Sequence, residues 1–326
     1  MPLKMETIQK NKPPMPRTLS GKLLSLVTGI PQKHLVFVGN LLGVLVYAID
    51  YRHRRIVARN LKFTHSDWSA TRIRKLSIRV FQNFGITVLE ILQLPHLSGE
   101  DILRKVRIRG KQNLINALKG PKGIIMISAH LGNWEMSTLF TSNYFRKPVV
   151  AVARQIKPKA LDRWVYRLRT RFGNTILDKK GALPAMARTL HKGNILGILI
   201  DQGPKRSEGV DVEFLGRVTT ATPAAAMLAR RFDSTVLPAF CVREPDGGLT
   251  LVVEPPLALK KTKDSRADLQ INTQIMADAI GKAVSTYPEQ WFWFHKRWKR
   301  HHPHLYKEDL ARRKSKKRKM GMNFFL

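Results

Sequence analysis

A histidine and a glutamate five positions apart carry the clearest chemical pattern in this chain. His130 and Glu135 lie in the segment AHLGNWE. On one continuous helix their side chains would point about 140° apart, because each residue turns the helix by about 100°, so they can meet only across a turn. Gly132 permits a tight turn and Asn133 is a favourable N-cap, which places Glu135 in the first turn of a following helix.

A turn of this kind supports acid–base chemistry that needs no nucleophile from the protein. A carboxylate folded back onto an imidazole fixes its tautomer and leaves the other ring nitrogen free as a general base. We therefore predict that His130 is the base and Glu135 its orienting acid, while a substrate hydroxyl attacks an activated acyl carbonyl. The spacing alone is a weak signal, because a lone histidine is more often a core or surface group. Its position at a strand end strengthens the prediction.

The elements that must position this pair alternate between strand and helix. Short apolar runs predict buried strands over residues 123–129, 148–153, 195–200, 235–242 and 249–254, with helices between them. This alternation predicts an α/β fold, in which a largely parallel sheet is covered by helices and ligands bind at the carboxyl ends of the strands. His130 follows the first of these strands, at that end.

The overall charge limits the classes of partner. The 326 residues include 58 Lys plus Arg and 23 Asp plus Glu, a net charge of +35, and the 43 % of apolar residues can supply a folded core. The single cysteine, Cys241, excludes an internal disulfide and a cysteine-based metal site. The positive excess suits nucleic acid, anionic lipid or an acidic protein. Because no nucleic-acid-binding motif is present, nucleic acid is not expected as a partner.

The chain divides into four predicted parts. Residues 1–22 are a basic, proline-rich and disordered arm, residues 23–50 a membrane-associated apolar segment, residues 51–299 the catalytic domain and residues 300–326 a basic tail. The uncharged run 35–49 gives about 22 Å of helix, short of the roughly 30 Å hydrocarbon core of a bilayer. Basic residues flank both ends, which favours a helix lying in one leaflet. A spanning anchor and a buried core helix are the alternatives.

Four segments together resemble the late lipid A acyltransferases, the lauroyl and myristoyl acyltransferases of lipopolysaccharide biosynthesis. They are AHLGNWE, then ARQIKPKALDRW, then DQGPKRSEGVDVEFLGRVTTATPAAAMLARR, and finally YPEQWFWFHKRWK. The resemblance runs from about residue 35 to residue 299, and the last segment is the most specific. It implies a glycerolipid-acyltransferase-like fold with an N-terminal membrane-associated helix.

The resemblance also implies an activity and its partners. The enzyme would sit on the cytoplasmic face of a bacterial inner membrane, bound to anionic lipid. It would transfer a fatty acyl chain from acyl carrier protein to a hydroxyl of a lipid A precursor, using the histidine and the acid. It would need no metal, and no cofactor apart from the carrier-protein thioester. Another acceptor, such as a glycerolipid or a phosphatidylinositol mannoside, is the alternative.

Four cations are expected from the resemblance to bind substrate. Arg154, at the end of the second strand, would bind a phosphate or stabilise the developing oxyanion, and an ion pair with a helix is the structural alternative. Lys205, Arg206 and Arg217 would contact phosphate, with ordinary surface charge as their alternative. Asp201, in the same segment, is expected to hold loop structure rather than touch substrate.

Two further features of these segments bear on the acceptor and on the core. Family members often carry an additional acidic residue and glycine just after the position of Gln202, whereas this chain continues with Gly203-Pro204. This departure falls in a segment that the resemblance associates with placement of the acceptor. Trp291 and Trp293 are expected to pack against the sheet rather than to lie at a membrane interface.

Overall fold

The computed structural model describes residues 29–204 and 209–307. The predicted arm 1–22, the candidate residues Lys205 and Arg206, and most of the predicted tail lie outside the described residues. The division into four parts therefore stays a prediction. Within the described ranges the α-helices are α1 (Gln32–Ile49), α2 (Tyr51–Thr64), α3 (Ala70–Gln93), α4 (Gly99–Lys105), α5 (Lys111–Lys119), α6 (Trp134–Phe145), α7 (Lys159–Arg169), α8 (Leu183–His191), α9 (Ala224–Phe232) and α10 (Ser265–Thr286).

A seven-stranded sheet forms the centre of the fold. Its strands lie in the order β1-β9-β8-β2-β5-β3-β4, and β6 and β7 form a separate antiparallel pair. The five strands from β8 to β4 in this order are mutually parallel. Strand β9 is antiparallel to β8, and β1 is parallel to β9. The strands are β1 (Val106–Arg109), β2 (Ile124–Ser128), β3 (Val149–Ala153), β4 (Thr175–Asp178), β5 (Ile195–Leu199), β6 (Val210–Phe214), β7 (Arg217–Ala221), β8 (Thr235–Arg243) and β9 (Leu249–Val253).

The predicted α/β class with a largely parallel sheet is confirmed, and so are its five apolar strands. They are β2, β3, β5, β8 and β9, each within two residues of its predicted ends. Strands β1 and β4 were not predicted, because four-residue segments that include charged residues, VRIR and TILD, contain no long apolar run. The β6–β7 hairpin was likewise not distinguished from the loop that follows Asp201.

The sheet is buried on both faces, as its apolar runs require. Along β2, Ile125 and Ile127 join one core cluster, and Ile124 and Met126 join the other, because successive side chains of a strand point to opposite faces. The first cluster contains residues of α2, α3, α8, α9 and α10, and the second contains residues of α4, α5, α6 and α7. Within the described ranges helices therefore cover both faces, which leaves the ends of the strands as the place where ligands can reach the sheet.

The two helices at the start of the described chain form a pair on this framework. Helix α1 is the one described helix that is long and apolar enough to cross a membrane by length and composition alone. It packs along α3, whose N-cap Ser69 accepts a hydrogen bond from the backbone of Arg72. Near the end of the described chain Trp291 and Trp293 are at most 1 % exposed, which confirms their predicted packing role, and Trp298 is buried as well.

Candidate active site

The segment between β2 and α6 makes the turn that the sequence predicted. Gly132 has a φ of +60°, and a Cβ there would lie 2.1 Å from the carbonyl oxygen of Cys241, so a side chain fits neither the backbone conformation nor the space. Asn133 caps α6 by accepting a hydrogen bond from the backbone N–H of Met136 at 3.0 Å. The turn leaves His130 at the carboxyl end of β2.

Asp201 holds the imidazole of His130. Its Oδ1 lies 2.9 Å from Nδ1 of the ring, while its Oδ2 accepts hydrogen bonds from the backbone N–H of His130 at 3.0 Å and from Nε1 of Trp291 at 2.9 Å. The aspartate side chain is fully buried and the histidine side chain is 23 % exposed. An ionised carboxylate is only an acceptor, so in the neutral ring Nδ1 carries the proton and Nε2 has a free lone pair, the form that a general base needs.

The sheet explains why these two residues meet. Strand β5 lies next to β2 in parallel register, and the backbone N–H of Ile200 donates to the carbonyl of Ser128 at 3.0 Å. Asp201 and His130 each lie two residues beyond the end of their own strand. Because the two strands are parallel neighbours, the two residues lie side by side at the carboxyl ends of the strands. The expectation that Asp201 holds loop structure omitted this contact. The sequence does show an aspartate directly after an apolar run, which could have pointed to this contact. It does not show which strands are neighbours in the sheet.

Glu135 lies in the first turn of α6, as predicted, but its carboxylate contacts Arg169 and not the ring of His130. Its carboxylate accepts hydrogen bonds from Nε of Arg169 at 2.8 Å, from a terminal nitrogen of Arg169 at 2.5 Å, and from Nε1 of Trp134 at 3.2 Å. Among the described residues, the carboxylate that hydrogen-bonds the His130 ring is that of Asp201 and not that of Glu135. The sequence could not reveal this, because Arg169 lies on α7, far along the chain. A catalytic role for Glu135 stays a prediction.

The charges around His130 set its protonation. Burial disfavours the charged ring, but the charge and hydrogen bond of Asp201 outweigh burial, and Glu135 adds a smaller attraction that Arg169 partly offsets. The net effect raises the pKa of His130 above its ordinary value of 6.5. Burial by itself would raise the pKa of Asp201. His130 and Trp291 stabilise the carboxylate more strongly and hold its pKa well below the usual range.

This electrostatic setting predicts the pH dependence of the reaction. A general base works only when neutral, so kcat/KM should rise with pH through the raised pKa of His130 and level off above it. Asp201→Asn removes the main charge that favours the imidazolium, so the rise should move to lower pH even though turnover falls. The pH profile of kcat/KM for both proteins tests this. An acid limb at the same pH in the variant would contradict it.

The other predicted site residues occupy three kinds of position. Arg154 is exposed directly after β3, at the same sheet edge as His130. Arg217 begins β7, and its Nε donates to the carbonyl of Phe63 at 2.8 Å, with the guanidinium 4.9 Å from the Phe63 ring centre. Lys205 and Arg206 are outside the described ranges. The substrate-binding roles of all four stay predictions.

A row of aromatic side chains leads from His130 to α1. In the segment from Trp291 to Phe294 the tryptophans are buried and the phenylalanines are only half-buried, so the phenylalanines form the accessible side. Ring centres are 6.1 Å apart from His130 to Phe292, then 5.4 Å to Phe84, 5.1 Å to Phe294, 4.8 Å to Phe81 and 5.3 Å to Tyr47 of α1. We call these five residues the aromatic strip: Tyr47, Phe81, Phe84, Phe292 and Phe294.

A buried ion pair supports the turn between β2 and α6. Glu90 of α3 accepts two hydrogen bonds from the guanidinium of Arg243, at 2.5 and 2.8 Å, and the side chains are 4 % and 6 % exposed. Glu90 also accepts from Nδ2 of the N-cap Asn133 at 3.0 Å and from Nε2 of Gln32 at 2.8 Å. The pair therefore joins the start of α1 to the turn that carries His130.

A base with an orienting carboxylate, at the carboxyl edge of a parallel sheet and beside an apolar strip, is suited to activating a hydroxyl for group transfer. The sequence comparisons agree with that class. The family described as bacterial lipid A biosynthesis acyltransferase matches residues 18–300. The chain belongs to this family and is an acyltransferase.

Individual relatives are distant and differ in the acceptor that their names state. The lipid A biosynthesis lauroyltransferase of Escherichia coli strain K12 is 26 % identical over 281 residues, which cover 85 % of this chain and 89 % of that protein. The palmitoleoyltransferase of the same strain is 22 % identical over 279 residues, covering 85 % and 89 %. A phosphatidylinositol mannoside acyltransferase of Mycolicibacterium smegmatis is 27 % identical over 214 residues, covering 64 % and 67 %.

Proposed function

We propose that this protein transfers a fatty acyl chain from an acyl carrier protein thioester to a hydroxyl of a lipid A precursor, at the cytoplasmic face of a bacterial inner membrane. The observation that carries the proposal is the His130–Asp201 pair at the carboxyl edge of the sheet, in a chain whose family is that of lipid A acyltransferases. The pair is suited to act as the base that this chemistry needs, and the family supports a lipid A precursor as the acceptor.

The proposed reaction proceeds by direct attack of the acceptor on the thioester. Nε2 of His130 takes the proton of the lipid hydroxyl while the hydroxyl oxygen bonds to the carbonyl carbon of the thioester. Asp201 stabilises the resulting imidazolium through Nδ1–H. The tetrahedral intermediate then expels the thiolate of the carrier, which receives the proton from the imidazolium, and an ester remains. Arg154, at the same edge, is suited to stabilise the oxyanion or bind a phosphate.

The distribution of charge supports an acidic donor protein. Residues 154–192, which begin at the carboxyl end of β3, contain eleven Lys plus Arg and two Asp. Leu161 and Tyr166 on α7 are 45 % and 53 % exposed within this basic region. Exposed apolar side chains surrounded by cations are suited to docking an acidic protein whose bound acyl group must reach the site.

A second acceptor class is favoured by one observation. The mycobacterial relative named for phosphatidylinositol mannoside is about as similar in identity as the lauroyltransferase, although its match covers less of the chain. Acyl transfer to a phosphatidylinositol mannoside or a glycerolipid is therefore the alternative function. The proposed mechanism at His130 is the same for both, because each acceptor presents a hydroxyl.

A mass spectrum of lipid A tests the proposed acceptor. Deleting the gene in its native host should remove the mass of one fatty acyl chain from lipid A. The wild-type gene should restore it, a gene encoding His130→Ala should not, and one encoding His191→Ala, an exposed histidine on α8, should restore it as the matched control. Unchanged lipid A with a missing chain in another lipid would instead support the alternative. Purified protein given carrier-protein and coenzyme A thioesters in parallel tests the donor.

A further inference from the structure

One side of α1 is apolar and uncovered. Phe37, Leu41 and Ile49 are 69 %, 63 % and 72 % exposed, and Val38, Val44 and Leu45 are also exposed. Together these six side chains form the outer face of α1. A soluble protein rarely leaves such a contiguous apolar surface in water, so the outer face indicates contact with another apolar phase.

The opposite side of α1 is packed too closely to be a loose attachment. Leu35, Gly39 and Gly43 recur every fourth residue and are buried against α3. A Cβ at Gly39 would lie 2.6 Å from Cα of Ile86, and one at Gly43 would lie 2.4 Å from Cα of Gln82, so only glycine allows this approach. These contacts run in opposite sequence directions, which shows that the helices are antiparallel and touch over about two turns.

Polar and aromatic contacts hold both ends of α1 as well. At its start, Gln32 donates to the buried Glu90 at 2.8 Å. Near its end, the ring centre of Tyr47 lies 5.3 Å from that of Phe81 in an edge-on arrangement. Helix α1 is therefore attached along most of its length to α3, which is itself part of the main core.

This attachment is incompatible with a transmembrane orientation. A spanning α1 would carry α3 into the hydrocarbon, together with the exposed Arg79 and the polar Gln82 and Asn83 beside the glycine contact. Its 18 residues give about 27 Å of helix, which barely reaches across a core of roughly 30 Å. Keeping α1 packed on α3 and its outer face in an apolar phase requires that the helix lie along the membrane.

We propose that α1 lies flat in one leaflet of an anionic bilayer, with its outer face among the acyl chains and α3 on the aqueous side. The exposed Lys33 at its start and the exposed Arg52 and Arg55 just beyond its end are placed to meet anionic headgroups. The inference rests on the membrane association proposed above, but not on the identity of the donor or acceptor.

In this orientation the aromatic strip connects the membrane with His130. The strip starts at Tyr47 of α1 and ends at His130, with ring-to-ring steps of 4.8 to 6.1 Å. With α1 at the depth of the upper acyl chains, the half-buried rings of Phe84, Phe292 and Phe294 offer an apolar surface between the leaflet and the base, while the buried Phe81 belongs to the core beside them. The base then works at the membrane surface rather than at a distance from it.

Spin labels at three positions on the outer face distinguish a flat helix from a spanning one. The variants are Phe37→Cys, Leu41→Cys and Leu45→Cys, each in the full chain bound to vesicles of phosphatidylethanolamine and phosphatidylglycerol. Cys241 is buried and burial raises the pKa of its thiol, so it gives little background labelling. Relative accessibility to oxygen and to a water-soluble nickel complex reports the depth of each label.

A flat helix predicts equal immersion of the three labels, below the headgroups. A spanning helix would change the depth by about 6 Å at each step of four residues, and that gradient would overturn the inference. Labels that stay fully accessible to the nickel complex would overturn it as well. Ile271→Cys, at an exposed isoleucine of α10, is the matched control and should remain in water.

Acyl transfer by the same labelled proteins, measured on detergent-dispersed lipid, separates this inference from the proposed function. A depth gradient with normal turnover would overturn the flat orientation and leave the proposed function intact. Labels at equal depth in a protein that transfers no acyl chain would support the flat orientation and contradict the proposed function.

Discussion

His130→Ala and Asp201→Asn are each expected to lower acyl-transfer turnover by at least about a hundredfold, the usual scale for losing a general base or its alignment. Removing the imidazole removes the acceptor of the substrate proton. Removing the charge of Asp201 leaves the ring in place but weakens the contact that fixes Nδ1–H and stabilises the imidazolium. Turnover of purified protein with a carrier-protein thioester and a lipid acceptor is the measurement.

The controls separate loss of chemistry from loss of fold. Asp268→Asn removes the charge of another buried aspartate, one paired with Arg230 at 2.9 Å, and should lower stability without a comparable loss of turnover. Near-wild-type turnover in His130→Ala would refute the mechanism.

Glu135→Gln identifies which carboxylate orients the ring. Nitrogen NMR of the labelled imidazole should show the Nδ1–H tautomer in Glu135→Gln and its loss in Asp201→Asn. The reverse pattern would restore Glu135 as the orienting acid that the sequence suggested. Lower turnover in Glu135→Gln with an unchanged tautomer would mean that its charge acts on His130 through space.

Glu90→Ala is expected to lower the free energy of unfolding by about 3–5 kcal/mol, because it leaves the guanidinium of Arg243 buried without its acid. Both side chains are at least 94 % buried, and the same carboxylate accepts a hydrogen bond from Asn133 in the turn that carries His130. We therefore expect turnover to fall with stability. Denaturant unfolding of the detergent-solubilised protein, followed by tryptophan fluorescence, is the measurement.

An exposed ion pair provides the matched control for Glu90. Arg107 and Asp246 are bonded at 2.8 Å with side chains 56 % and 59 % exposed, so Asp246→Ala should cost less than about 1 kcal/mol. Replacing both members of the buried pair with apolar residues should destabilise less than Glu90→Ala alone, since no charge then stays buried. A Glu90→Ala protein as stable as wild type would show that water reaches Arg243 and that the pair does not hold the turn.

The elements that could be predicted are those whose signal is local. The apolar runs of β2 and β5 and the glycine and asparagine of the turn all act through neighbouring residues, and the structure has them where the pattern placed them. Strands β1 and β4 were missed because tertiary pairing alone makes strands of such short, charged segments. The pairing of Glu135 with Arg169 was missed because 34 residues separate the two.

By itself the sequence determined that this is an α/β protein with a histidine at a strand end, and its segments identified the family. It also specified an uncharged N-terminal segment too short to span a bilayer comfortably. Only the tertiary structure decided that Asp201 is the partner of His130, because strand order determines which carboxyl ends are neighbours. It likewise decided the face of α1 that is free to meet a membrane, because that depends on the packing of Gly39 and Gly43 against a helix some forty residues away.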